Sequence, residues 1–318
     1  MPIVLSENFR ALFYAPFYAA LATGAFRDAG VEVILRPSPS PRAAAAALRA
    51  GEADVMWGGP LRVMIVHASE PGADLVCFAD VVARDPFFVI GARPRPDFKL
   101  ADLARLRFAA VAEVPTPWIC LAHDLRLAGI DPDRLEPLIG PAMADNARVI
   151  RAGTLDAAQL FQPHAEALIA AGVGHVWYAA ATRGLTAYTT LVTRRATLET
   201  RQDELLAMTI GMHRTLSWFA AVPPAEIARL LAGYFPDVAP ALFAAAIARY
   251  RALGLWGADP LIRREGYDWL HAAMRAHGTL GRDVAYETCV DTTLARRAIA
   301  GRAASDPIEP HESRSDRT

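Results

Sequence analysis

The stretch Asp54-Val55-Met56-Trp57-Gly58-Gly59-Pro60 decides how this chain is read. A short apolar run ends in an aromatic residue, two glycines and a proline, and it follows the close of an alanine-rich segment, Arg49-Ala50-Gly51. Glycine tolerates a positive φ just past a helix, and proline is tolerated at a first helical position. The pattern therefore predicts a helix that stops at Gly51, a buried strand from about Asp54, and a new helix opened by Pro60. In open α/β sheets ligands bind outside the carboxyl ends of the strands. Two adjacent glycines at such an end let a ligand approach the backbone, and Trp57 offers a flat wall. Trp57 and Gly58 are the first candidate ligand contacts.

The same grammar returns about one hundred residues later. Arg151-Ala152-Gly153-Thr154-Leu155-Asp156 opens a second run that ends at Gln162-Pro163. A second matched pair precedes each of these. Ala15-Pro16-Phe17 starts a helix closing before Gly30-Val31, and Thr116-Pro117-Trp118 starts one closing at Gly129-Ile130. Two pairs in the same order imply two similar βαβαβ lobes.

With 318 residues, 53% hydrophobic and 21% charged, the chain suits two lobes of ordinary size around a sizeable core. A formal net charge of -1 argues against broad nucleic-acid binding. Three scattered cysteines (Cys77, Cys120, Cys289) give neither a disulfide framework nor metal spacing. The eight histidines form no HExxH, and there is no GxSxG, P-loop or strand-linked GxGxxG. The residues give no sign of catalytic chemistry, and neither a metal nor a cofactor is expected. No apolar run reaches the ~18 residues of a membrane span. Met1-Pro2-Ile3-Val4-Leu5 runs straight into a strand with no export signal ahead of it. The expectation is a cytoplasmic protein as the chain stands, or a periplasmic one if an export segment has been trimmed or the start misassigned.

Read in order, the chain gives strands at 2–6, 31–35, 54–57, 74–79 and 86–92. Arg93-Pro-Arg-Pro96 then breaks the pattern and is taken as the first crossing between lobes. The second lobe follows: a strand at 108–112, a loop 113–116, a helix 117–128, a strand near 135–139, a helix 144–152, and strands at 156–160 and 176–178. Tyr188-Thr-Thr-Leu-Val192 reads as the strand returning to lobe one. From Leu198 the pattern is helical. Lobe one is thus 1–92 plus 188–300 with the C-terminal helices on it, lobe two is 93–187, and the polar tail 301–318 is disordered.

This ordered set resembles a known group. Its residues are Tyr14-x-Pro16-x-Tyr18, Gly24-x-Phe26-x-x-x-Gly30-Val31-x-Val33, Ala47-Leu48-x-x-Gly51-x-x-Asp54, Leu100-x-Asp102-Leu103, Gly129-Ile130-Asp131-Pro132 and Ala152-Gly153-x-x-Asp156-Ala157. It is similar to the solute-binding proteins for nitrate, sulfonates, taurine and thiamine-pyrimidine precursors. The resemblance implies the two-lobed periplasmic-binding-protein type II fold, each lobe a sheet flanked by helices. It also implies a small planar, amine-bearing or sulfonate ligand in a cleft that closes about hinge strands, delivered to an ABC-type uptake permease. The alternative is a cytoplasmic enzyme on the same fold: a pyrimidine-precursor synthase, a decarboxylase or a desulfinase. The synthase's lysine and histidine would fall where this chain has Gly58-Gly59-Pro60-Leu61-Arg62. Its cysteine-rich run has no counterpart here, and the desulfinase's first-loop cysteine is missing from 6–15.

Further candidates come from strand ends and loops. Glu113 follows an apolar strand and could accept hydrogen bonds from an amine or aminopyrimidine, as the corresponding loop of pyrimidine-precursor binders implies. It could equally serve the dipole of the next helix. Trp118 suits either the cleft or a helix face with Leu121 and Leu125. Asn8, Tyr14, Thr116, Gln162 and Tyr188 supply orienting polar tips, although turn chemistry for Asn8 and backbone bonding for Gln162 compete. Arg62 could grip a sulfonate or carboxylate in bidentate fashion, but a solvated first-turn arginine is the plainer reading. The sharpest expectation puts Trp57 and Glu113 face to face across the cleft.

Overall fold

The computed structural model describes residues 1–111, 113–138 and 142–302. Two sheets organise them. The first takes β1 (Ile3–Ser6), β2 (Val33–Arg36), β3 (Val55–Gly58) and β4 (Leu75–Val82) from the first quarter of the chain. The second is built from β5 (Phe88–Gly91), β6 (Phe108–Ala109), β7 (Ala157–Leu160) and β8 (His175–Ala179). The chain then returns to the first sheet as β9 (Thr189–Arg194), giving the orders β2-β1-β3-β9-β4 and β6-β7-β5-β8. β1, β2 and β3 run parallel, while β9 inserts antiparallel between β3 and β4. β3 and β4 are buried along their whole length, and both read as apolar runs rather than as an alternating pattern.

The repeated Arg-Ala-Gly-x-x-Asp segment has the same structural duty in both sheets. Gly51 and Gly153 hold φ of 75° and 72°, the left-handed turn that ends a helix, where a side chain would be strained. The following aspartate then turns back to the neighbouring parallel strand. Asp54 Oδ2 accepts the Val4 N–H at 2.8 Å, and Asp156 Oδ2 accepts the Arg107 N–H at 2.9 Å, beside β6. The echo is thus a device for setting a helix against a parallel strand pair, once per lobe.

One boundary differs from the sequence reading. β5 pairs with β7 (Phe88 opposite Leu160) and with β8 (Phe88 opposite Ala179), so it belongs to the second sheet. The outgoing crossing is therefore 83–87, and 93–96 is only the exposed turn after β5. The expected strand near 135–139 reduces to one bridge, Leu138 to Ala109, among the described residues. The tail expectation falls mostly outside them, since description stops within the helix Thr293–Arg302.

The C-terminal helices pack mainly on the first sheet's side. In the helix Gln202–Ala221, Leu205, Met208, Met212 and Leu216 form a buried stripe at helical spacing. Two of these helices also reach the second lobe. Arg249 bonds Glu166 at 2.5 Å, and the Tyr250 hydroxyl accepts the Gln162 N–H and donates to the Pro86 carbonyl. Trp269 meets His123 edge-on at 5.2 Å.

A buried ion network ties the two crossings together. Arg183, on the return, donates to Asp85 on the way out (2.8 Å) and to Asp124 of the helix Thr116–Leu127 (2.9 Å). The Tyr178 hydroxyl donates to Asp124, and Trp269 lies 4.6 Å beneath the guanidinium. Buried charges persist only when paired this fully, and removing one partner is costly.

Candidate functional site

A cavity of about 50 Å³ lies between the two sheets. Its first wall is the loop after β1, with Asn8, Phe9, Phe13 and Tyr14. The end of β3 and the first turn of the helix Pro60–Ser69 supply Met56, Gly58, Gly59, Leu61 and Arg62. Pro41 begins another helix at its edge, and Tyr188 and Thr189 come from the return into β9. The second lobe contributes Val114, Pro115 and Thr116, where the helix Thr116–Leu127 starts. The turn after β3 and the turn before Thr116 face one another across this space, as the repeat implied. At about 10–15 Å³ per water, the cavity has room for about three to five.

Two candidates expected to meet in the cleft are placed elsewhere. Trp57 is fully buried in the first lobe. It stacks on Phe17 (4.7 Å, 14°) and meets Tyr18 and Tyr14 at 5.5 and 5.8 Å, and its Nε1 has no hydrogen-bond partner. The reason is strand parity: Met56 and Gly58 take the cleft side of β3, so Trp57 takes the other, and that face is covered by the helix Ala15–Ala22. Glu113 is exposed, does not line the cavity, and accepts the Met143 N–H at 2.7 Å. It caps the helix Met143–Arg151 rather than the one that follows it in sequence.

Two more take the plainer role weighed for them. Trp118 packs with Leu103, Leu121 and Leu125 in the second lobe. Gln162 is fully buried, and its Oε1 accepts the Glu166 N–H while its Nε2 donates to Glu166. Its side chain is spent on the first turn of the helix His164–Ala170. The other five candidates, Asn8, Tyr14, Gly58, Thr116 and Tyr188, all line the cavity.

Polar chemistry in the cleft is sparse. Asn8 Nδ2 donates to the Tyr14 hydroxyl at 3.1 Å. Burial pushes both the Tyr14 and Tyr188 phenols well above their ordinary range, so they stay protonated. Thr189 is 1% exposed, and its hydroxyl lies beside the Tyr14 phenol. Gly59 packs so closely on the Tyr188 carbonyl that a Cβ would lie 3.0 Å from it, whereas a Cβ on Gly58 would meet only Met56. Both glycines line the cavity. Arg62 is half-buried in the wall, and its guanidinium makes no hydrogen bond or salt bridge with a described residue. Burial, and then the nearby charge of Arg42, lower its pKa, but an arginine remains a cation. Sequence spacing had made Arg62 a solvated first-turn residue. The turn at Gly58-Gly59-Pro60 instead aims the first turn of its helix at the opposite lobe.

The NMT1-like family matches residues 9–233, well over half of the chain. The chain belongs to that family. This NMT1-like chain is 23% identical over 300 residues to a Bacillus subtilis (strain 168) protein named "Putative binding protein YtlA", covering 94% of this chain and 90% of the relative. Among solved structures it is similar to the periplasmic aliphatic sulphonate binding protein SsuA from Escherichia coli. There the TM-score is 0.72 at 16% identity, over 89% of this chain and 94% of that one. It is also similar to the ligand binding component of an ABC-type import system from Staphylococcus aureus, with a TM-score of 0.72 at 13% identity over 94% and 99% of the two chains. The expected periplasmic-binding fold is the observed one. No helix among the described residues is long and apolar enough to cross a membrane.

Proposed function

We propose that this NMT1-like protein is the small-solute-binding component of an ABC-type uptake system. The ligand lies in the cleft between the lobes, which close over it by bending at 83–87 and 180–188. One observation carries this reading: the cavity is walled jointly by both lobes, at the carboxyl end of β3 and the start of the helix Thr116–Leu127. A molecule held there touches both lobes and so favours their closure. The relatives support the same reading, since one is named a binding protein and others are parts of import systems. The partner is then a membrane permease that receives the closed, loaded form, and the place of work is the outer side of the membrane. The cavity lining contains no cysteine, histidine or carboxylate among the described residues, so nothing in it favours the enzyme alternative.

Native mass spectrometry of freshly purified protein identifies what co-purifies, and small-angle scattering follows closure after that species is removed and restored. At about 100 times its dissociation constant, a ligand bound only by the folded state adds about 2.7 kcal/mol. A ligand that raises the melting temperature but leaves the radius of gyration unchanged rejects the hinge mechanism. An absence of any bound small molecule, together with no compaction, rejects the function.

A further inference from the structure

We infer that the second lobe carries a separate binding site, at its end remote from the cleft, for an organic phosphate whose charged head is held by Arg93 and Arg151. The site is a cavity of about 560 Å³, far larger than the one between the lobes. Pockets for small molecules commonly hold about 300–1,000 Å³. This one opens where β5 ends at Gly91, opposite the start of β7 at Ala157 and of β8 at His175. The lobe's cleft residues, Val114 to Thr116, instead follow the carboxyl end of β6, which runs parallel to β7. A molecule in the remote cavity therefore touches lobe two alone, and its binding does not depend on closure.

The first ground is charge. Arg93, Arg95 and Arg151 line the cavity, and Asp156 is the one acid in its lining among the described residues. That acid is already committed. Arg107 grips it through two side-chain hydrogen bonds, at 2.8 and 3.1 Å, which hold its carboxyl below the ordinary range, and Arg93 adds a smaller pull. Arg95 pairs with Asp102 at 3.5 Å. The guanidinium groups of Arg93 and Arg151 make no hydrogen bond or salt bridge with a described residue. Two free cations reaching one space from different elements suit a doubly charged head, and their planar forks match phosphate oxygens.

The second ground is the mounting of the arginines. In Arg93-Pro94-Arg95-Pro96 each arginine precedes a proline, which keeps it out of the helical region and fixes the φ that follows. Trp177 Nε1 donates to the Arg93 carbonyl at 2.8 Å, so this stiff turn is tied to β8. The third ground is the apolar wall. Trp177 lies so close against β5 that a Cβ on Gly91 would overlap its ring, and only glycine admits the indole there. With Leu106, Ile150, Leu155 and Val173 it forms a surface that a bare inorganic ion would leave unused.

The test is titration calorimetry of the purified protein with phenyl phosphate, inorganic phosphate, phenol and benzylamine. Phenyl phosphate should bind, inorganic phosphate should bind more weakly, and phenol and benzylamine should not bind. Arg93→Gln and Arg151→Gln should each weaken phenyl phosphate about tenfold, the loss of one charged, forked contact. Arg93→Lys, which keeps the charge and gives up the fork, should lose less. Affinity should fall as salt is added, because both arginines are exposed. Neither glutamine variant should change the melting temperature or the affinity for the species that co-purifies in the cleft, which separates this site from that one. Phenyl phosphate that fails to bind at millimolar concentration, or binds both glutamine variants as tightly as the unaltered protein, overturns the inference. So does binding of benzylamine, or phenol or inorganic phosphate binding as tightly as phenyl phosphate. Each of these results leaves the solute-binding reading of the cleft standing, and a cleft that binds nothing leaves this site untouched.

Discussion

Replacing Trp57 by alanine separates a core tryptophan from a ligand wall. The indole is fully buried and carries three aromatic contacts, of which the stack on Phe17 is the closest. Truncating a buried tryptophan to alanine costs ~3–5 kcal/mol, and each aromatic pair adds ~0.5–1.5 kcal/mol beyond area burial. Against this stands the unpaired Nε1, a buried donor whose desolvation already costs the native state ~1–3 kcal/mol. A net loss of about 4 kcal/mol is expected for Trp57→Ala, and a much smaller one for Trp57→Phe, which keeps a ring and deletes the orphan donor. The assay is urea unfolding of apo protein followed by far-ultraviolet circular dichroism. With a slope of about 3 kcal/mol per molar urea, the alanine variant should unfold about 1.3 M earlier. An alanine variant that unfolds within about 0.2 M of wild type, yet loses affinity for the native ligand, would place the ring in the cleft and refute the packing argument.

Arg183→Gln leaves Asp85 and Asp124 buried without their cation, and should cost about 3–5 kcal/mol in the same urea assay. An unaltered midpoint would show that the crossings do not depend on the network. Asp80 is buried on β4, has an unpartnered Oδ1, and is pushed up to about 8 by burial. The folded chain therefore holds a proton there that the unfolded chain releases near pH 4. That contribution to stability is complete below about pH 4 and declines as pH rises to about 8. Asp80→Asn should flatten this decline in a series of melts from pH 5 to 9, and an unchanged slope would reject the assignment. Glu113→Gln should lower the melting temperature slightly, by the ~0.3–1 kcal/mol of a charge at a helix start, and leave ligand affinity untouched. Calorimetry with the co-purified ligand checks the second half.

The fold was legible because its devices are local. Gly51 and Gly153 announce the ends of helices, and Asp54 and Asp156, three residues on, announce the clamps that align the parallel strands. Those signals repeat at a fixed distance, which reveals two lobes without any knowledge of their contacts. The crossing was not legible, because Ala83 to Phe87 carries no break as conspicuous as Arg93-Pro-Arg-Pro96. What marks it is the pairing of Asp85 with Arg183, close in space but 98 residues apart in sequence. The cleft was half legible for a similar reason. Residues outside the strands (Asn8, Tyr14, Thr116, Tyr188) reach it whichever way a strand is turned, and Gly58 reaches it from the last position of β3. Trp57 lies inside a strand buried on both faces, where composition is apolar on either side and parity cannot be read from the pattern. Arg62 shows the converse. At two residues past Pro60 it looks solvated, because sequence shows the helix it begins but not the lobe that helix faces. A charge on the first turn of a helix is ordinary at a surface. Set between two lobes, the same residue lines the cleft instead.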